Sequence, residues 1–336
     1  MRSFILIGLA AAAAVYGQDI TGVGNFSHIV TNLDKSLEFY RDVLGLELAA
    51  PARPFDGNPA IMKLGDTAGA QSRFVQLRVP GSAIGVEIIE YKDIDRKPAH
   101  PRFQDPGAAN LTLRVRDLGA VVARAKKAGV HVLTAGGVPA AVRGGMYIFL
   151  QDDDGFVVEL SQQPQAPAEL VYPTNPPRDT SGKALSDVLG GGFETTVGDA
   201  EKTVTAYRAL GLEPVAPAAF NNDKVMTDTA GTPGAQFRQS RAAIPGGAAG
   251  GTMASITFIE FKDIDRKPLH TRVQDPGTAI LQLNVRDLGT LLPKLKAAGF
   301  TVVSSGGQPV DLGGARIALV RDLNNLFLEL IERRAQ

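Results

Sequence analysis

The sequence predicts an α+β protein made of four strand–helix–three-strand modules, two in each of two domains. Three observations carry this. Residues 90–107, EYKDIDRKPAHPRFQDPG, return almost unchanged at residues 260–277 as EFKDIDRKPLHTRVQDPG. The offset, 260 − 90 = 170, persists without a gap: Val115-Arg116-Asp117 meets Val285-Arg286-Asp287, Ala128-Gly129 meets Ala298-Gly299, and Glu159-Leu160 meets Glu329-Leu330. Within each repeat, one stretch of helical spacing followed by short strand-like runs occurs twice. A period of this kind marks a duplication, and every later assignment depends on finding it.

The elements follow in order. MRSFILIGLAAAAAVYGQ opens with Arg2, continues as an apolar run and ends on the small residue Gly17. This has the length and layout of a Sec-type signal peptide, residues 1–17, and is short for a membrane span. It predicts a periplasmic or secreted protein with no membrane anchor after cleavage. Residues 26–31 alternate like a strand. Asp34 can cap a helix carrying Leu37, Tyr40, Val43 and Leu44 at helical spacing, with Gly45 ending it. Strand-like runs near 46–50, 73–79 and 85–91 complete the first module, with no room between them for a second helix. The pattern then restarts: Asn110 to Val115 as a strand, Asp117 capping a helix that ends at Gly129, and strands near 130–134, 146–151 and 156–161. The boundaries expected are a first domain at 22–162 (modules 25–92 and 108–162), a Pro-rich linker at 163–186, and a second domain at 187–334 (modules 190–262 and 278–334).

Composition narrows the function. Lys+Arg and Asp+Glu are both 35, so there is no basic excess with which to neutralise phosphates, and a nucleic-acid role has no support. The absence of cysteine removes disulfides and thiol catalysis, and suits an oxidising compartment. There is no P-loop and no GxSxG elbow. GGAAGG at 246–251 lacks the following helix a phosphate site would need and reads as a flexible hairpin loop.

The helix text FYRDVLGLEL and the late strand DDDGFVVEL resemble the vicinal oxygen chelate superfamily, the glyoxalase, bleomycin-resistance and extradiol-dioxygenase group. The resemblance covers nearly all of the chain after Gly17. It implies βαβββ modules paired into half-barrels whose cavities hold a divalent metal such as Zn, Mn, Fe or Ni. Ligands would come from the first and last strands of each module. Carried over by position, these are His28, Glu90 and Glu159, with Asn110 standing where a second histidine is common. An imidazole with two carboxylates suits such a cation. Glu87 lies on the opposite strand face from Glu90 and becomes the rival if the register is off by one. The second repeat offers Thr195, Glu260, Ile280 and Glu329, a poor metal set that implies a metal-free second cavity.

The DIDRKPxHxRxQDPG segment survives in the repeat whose ligand positions are broken. This argues for an ion-paired structural connection between modules. The alternative is that His100 and Arg102 line a pocket mouth and meet an anionic substrate. The resemblance implies a metal-dependent lyase or isomerase acting on a small vicinal-oxygen compound, Glu90 and Glu159 being the proton-transfer candidates. Two alternatives stand beside it: a non-catalytic small-molecule-binding protein, and an extradiol-type dioxygenase. Either way the partner is a small molecule, and the chain is a monomer or a homodimer.

Overall fold

The computed structural model describes residues 19–164, 186–245 and 254–333. The predicted signal peptide, most of the linker and the GGAAGG loop lie outside these residues. Among them, no helix is long and apolar enough to cross a membrane.

All four modules are present. The first runs β1 (Ile20–Ile29), α1 (Leu33–Leu37, continued by a π-turn over Glu38–Val43), β2 (Glu47–Leu48), α2 (Pro59–Gly65), β3 (Gln71–Arg78) and β4 (Gly85–Lys92). The second runs β5 (Ala109–Val115), α3 (Leu118–Lys127), β6 (His131–Val132), β7 (Ala140–Val142), β8 (Gly145–Gln151) and β9 (Val157–Gln162). The third has β10 (Val188–Val197), α4 (Ala200–Tyr207), α5 (Lys224–Thr229), β11 (Gln236–Ala243) and β12 (Ser255–Lys262). The fourth has β13 (Ala279–Val285), α6 (Leu288–Ala297), β14 (Thr301–Val302), β15 (Val310–Leu312), β16 (Ala315–Arg321) and β17 (Phe327–Arg333).

Local chemistry explains the helix starts. Asp117 caps α3 as expected, its side chain accepting from Ala120 N. The first helix is capped by Asn32, not Asp34, and begins at Leu33. The short α2 is an addition to the expected pattern. Asn58 accepts from Ala60 N and Pro59 fills the first helical position, two start signals that outweigh the brevity of the segment.

The sheets do not follow the repeat. One has the order β14-β16-β17-β13-β1-β4-β3-β2 and joins the first module to the fourth. The other has the order β11-β12-β10-β5-β9-β8-β6 and joins the third to the second. The joints are antiparallel pairings of first strands, β1 with β13 and β10 with β5. Each half-barrel therefore takes one module from each repeat, where modules of one repeat were expected to pair. Antiparallel union covers the outer edge that every first strand would otherwise leave open.

This exchange gives the repeated segment its purpose. After β4 the chain crosses to the other sheet, and after β12 it crosses back, so the two segments run past each other and clasp. Arg102 pairs with Asp105 at 2.7 Å and with Asp265 of the other segment at 2.9 Å; Arg272 pairs with Asp275 at 2.7 Å and with Asp95 at 3.1 Å. Lys97 N donates to Asp275, and Lys267 N to Asp105, each at 2.8 Å. At Gly107 (φ 94°) a Cβ would sit 2.4 Å from Asn324 O, so only glycine permits the crossing there. Arg102 thus belongs to the clasp.

Between the sheets lies one continuous apolar core. Phe26 of β1 stacks on Phe156 at 5.0 Å and meets Phe193 of β10 at 4.7 Å. Each such ring contributes roughly 1.5–3 kcal/mol by burial. The opposite face of each sheet curves around a smaller cluster of its own.

Candidate active site

Alternation along β1 decides the fate of His28. Phe26 and His28 point into the core between the sheets, and Ser27 points to the other face. His28 is fully buried against Phe156, ring centroids 4.5 Å apart. Its Nε2 lies 2.9 Å from Asp152 Oδ2, which also accepts from Tyr40 Oη at 3.0 Å. Burial alone would push the imidazole pKa down, but the charge and hydrogen bond of Asp152, with Asp154 behind, raise it. The second repeat keeps the tyrosine–aspartate half of this device, with Tyr207 Oη donating to Asp322 at 2.9 Å.

Glu90 is also committed elsewhere. Its carboxylate takes two bonds from Arg73, at 2.7 and 3.0 Å, and accepts from Leu33 N at 2.9 Å. It therefore anchors the N-terminus of α1, where a negative charge is favoured. Glu260 does the same for α4, pairing with Arg238 and accepting from Ala200 N at 2.9 Å. His28, Glu90 and Glu159 do not come together as a ligand set. His28 faces the core, Glu90 caps a helix of the first sheet, and Glu159 stands in the second sheet. Of the connecting segment, His100 is exposed at φ 44° and Arg102 is ion-paired in the clasp; neither lines the cavity described next.

Glu159 does occupy a site, and its partner comes from the other repeat. In the second sheet Asn110 of β5 is directly opposite Glu194 of β10, and Thr112 is opposite Glu159 of β9. These positions share one face. Glu159 and Glu194 both line a cavity of about 170 Å³. Its walls are aromatic: Phe103 lies 5.4 Å from both Phe149 and Phe261, and Phe237 is 6.4 Å from Phe261. Met226 of α5 and Arg143, from the turn between β7 and β8, complete the opening.

The two carboxyls have different surroundings. Burial pushes Glu159 well above the usual carboxylate range, and the charge of Glu194 pushes it further. Burial raises Glu194 as well, but Asn110 Nδ2, donating at 2.9 Å, and the nearby Arg241 charge hold it back. Both carboxyls are therefore held above the ordinary carboxylate range, Glu159 the further of the two. Two titratable groups pushed apart by their environments can serve as an acid and a base.

The divalent metal expected for this fold needs more than the site provides. Among the described residues no three His, Cys, Asp or Glu side chains are grouped to hold one. One of the two carboxylates already receives the Asn110 amide, and the cavity lining contains no histidine. The donor set does not fit a transition-metal ion.

The first sheet carries the same architecture closed. Glu87, the rival to Glu90, is the residue on this face. It accepts from Ser27 Oγ (2.8 Å), Gln76 Nε2 (3.1 Å) and Gln282 Nε2 (3.2 Å). Glu329 of β17 lies opposite Gln282. Where the second sheet has Asn110, Thr227, Thr229 and Tyr147, the equivalent positions here are Ile280, Met62, Leu64 and Ile317, all buried in one cluster. Bulky aliphatics fill the space that threonine and asparagine leave open.

Sequence reading reached Glu159, Asn110 and, as a rival, Glu87. It missed Glu194. The 167-residue offset places Glu194 opposite Ser27, a pairing masked by the more conspicuous histidine one residue on. A lone acid in the strand VLGGGFETTV was the available signal.

Comparison with known proteins agrees with this architecture. Residues 22–160 match the Glyoxalase/Bleomycin resistance protein/Dioxygenase superfamily. A 2-epi-5-epi-valiolone epimerase from Actinomyces sp is 31% identical over 134 residues, spanning 38% of this chain and 71% of that protein. The crystal structure of glyoxalase I from Zea mays superposes with a TM-score of 0.55, at 15% identity, over 93% of this chain and 92% of the maize chain.

Proposed function

Because the chain belongs to the glyoxalase, bleomycin-resistance and dioxygenase superfamily, we propose that it is an isomerase-type enzyme. In this reading it moves a proton at a carbon beside a carbonyl of a small oxygenated molecule. The observation that carries the reading is the Glu159–Glu194 pair at the aromatic cavity. Glu194, the carboxylate, takes the proton from carbon, and the C–H electron pair moves into an enolate. Glu159, the acid, hydrogen-bonds the developing oxyanion or returns a proton to carbon. Both carboxyls stand on one side of the cavity, so inversion requires the planar enolate to turn over before a proton returns, whereas delivery to the neighbouring atom isomerises the compound. The epimerase relative, whose name denotes inversion of one centre, is consistent with this. The donors that face the cavity do not form a metal set, so in this reading the two carboxyls carry the proton transfer themselves.

The test is solvent-isotope exchange. The protein is incubated in D₂O with a panel of small α-hydroxyketones and cyclic ketones, and loss of the α-proton signal is followed by NMR. Catalysed exchange is expected for at least one compound, falling by about 10²-fold or more in Glu194→Gln, the loss typical of removing a general base. Exchange unaffected by Glu194→Gln and Glu159→Gln would overturn the reading. We propose as well that residues 1–17 are removed during export.

A further inference from the structure

The turn between β7 and β8 is a two-residue hairpin, Arg143-Gly144, with φ of 47° and 83°. Both positions are left-handed, a conformation that glycine adopts freely and a long side chain does not. The equivalent turn between β15 and β16 is Gly313-Gly314, with φ of 58° and 81°. One fold, built twice, thus uses glycine at this turn beside the aliphatic cluster of the first sheet and arginine at the turn that lines the cavity of the second. Strain retained at a site with a ready relief points to a role for the side chain. Arg143 lines the cavity opening, is exposed, and has no ion pair or hydrogen bond among the described residues. Among the arginines of β11, Arg241 has the strand parity of the cavity-lining Phe237 and Gln239, and its charge acts on Glu194, but it is not part of the lining.

The cavity below selects for shape. Its size, about 170 Å³, is comparable to the roughly 150 Å³ cavity that admits benzene in a protein core. Four phenylalanines surround it, with the carboxyl pair at one side. A six-membered ring fits between such walls, and an anionic substituent on it would reach the opening.

We propose that Arg143 is a specificity residue that captures the anionic group, carboxylate or phosphate, of a small cyclic substrate whose ring is held by the phenylalanine cage. This rests on the proton-transfer reading for the identity of the reaction, but not for the binding itself. A guanidinium suits either anion through paired donors.

Binding of benzoate, benzyl phosphate and neutral benzyl alcohol, measured by NMR titration on the full chain, tests it. Wild type should bind an anionic probe at least about tenfold more tightly than benzyl alcohol, the usual worth of a charge-assisted hydrogen bond. Arg143→Gly should abolish that preference, leave benzyl alcohol unchanged, and retain or raise the melting temperature because the turn is relieved. Arg143→Lys should keep part of the preference. Whether benzoate or benzyl phosphate is favoured identifies the anion. Equal affinity of wild type and Arg143→Gly for the anionic probes overturns the proposal, as does failure of all three probes to bind wild type. Deuterium exchange then judges the proton-transfer reading independently.

Discussion

Replacing Glu329 with glutamine isolates a single half-buried carboxyl in the first sheet. Glu329 stands beside Gln282 and Leu319 on the face of the first sheet that carries the aliphatic cluster, and it is half-buried. Burial, and then the charge of Glu87, push its pKa from the ordinary 4.5 up to about 8. The folded state therefore holds this proton more tightly than the unfolded chain does. The resulting stabilisation is fully present below pH 4.5 and is lost as the pH rises through about 8. At about 1.4 kcal/mol per pH unit, the whole span is worth at most about 5 kcal/mol. Glutamine has nearly the same shape and cannot ionise. Denaturant unfolding of wild type and Glu329→Gln at intervals from pH 5 to pH 9 reads the effect directly. The variant should be equal to or slightly less stable than wild type at pH 5. By pH 9 it should be more stable by about 2–4 kcal/mol. Raised carboxyls distant from Glu329 cancel in the difference, while Glu87, which shares its field, is relieved in the variant. A difference that stays constant across the range, within about 0.5 kcal/mol, would refute the argument that Glu329 holds its proton in the folded state.

Other expectations follow from the same geometry. Glu90→Gln should lower stability by about 1–3 kcal/mol, by loosening the start of α1 and unpairing Arg73, with no change in ligand binding at the cavity; a binding loss without a stability loss would restore its role as a ligand. His28→Ala should destabilise by about 3 kcal/mol through a core void and loss of one of the hydrogen bonds that Asp152 accepts. It should leave metal content unchanged in protein purified without chelator and reloaded with Zn²⁺, Mn²⁺, Fe²⁺ or Ni²⁺; loss of a stoichiometric metal would count against the site described here. Exchange activity should trace a bell against pH, rising as Glu194 loses its proton and falling as Glu159 loses its own. Burial should place both limbs above the ordinary carboxylate range. Expression from an exporting host should yield a protein whose intact mass begins after Gly17; a full-length mass in the exported fraction would exclude the cleavage.

Much of the fold could be read from the chain because duplication let each element be checked against its copy. Asp117 and Asp287 cap equivalent helices, α3 and α6, and the sequence showed both. What could not be read was the exchange of modules between sheets. Alternation tells which residues share a face, but not which strand lies across the edge. Nothing in β1 distinguishes β5 from β13 as a partner, since both are first strands with the same pattern. The site inherited that ambiguity. Glu159 was reached because the family resemblance carries a ligand onto that position of the last strand. Its partner Glu194 was hidden because it belongs to the other repeat. His28 misled for a related reason: a buried histidine in a first strand has the composition of a ligand, and only its parity with Phe26 reveals that it faces the core. In the repeated DIDRKP segments the sequence showed the charges but not that Arg102 reaches Asp265 and Arg272 reaches Asp95, because ion pairs between distant segments follow from the crossing.

The central claim is that Glu159 and Glu194 share one proton at the cavity and are poised as acid and base. Carboxyl titration tests it most directly, with ¹³C-labelled glutamate observed by NMR in wild type, Glu159→Gln and Glu194→Gln. The account predicts that Glu159 stays protonated well above the ordinary carboxylate range, and that its midpoint falls when Glu194 becomes an uncharged glutamine. Two carboxyls that titrate independently near their ordinary value, each indifferent to loss of the other, would contradict it.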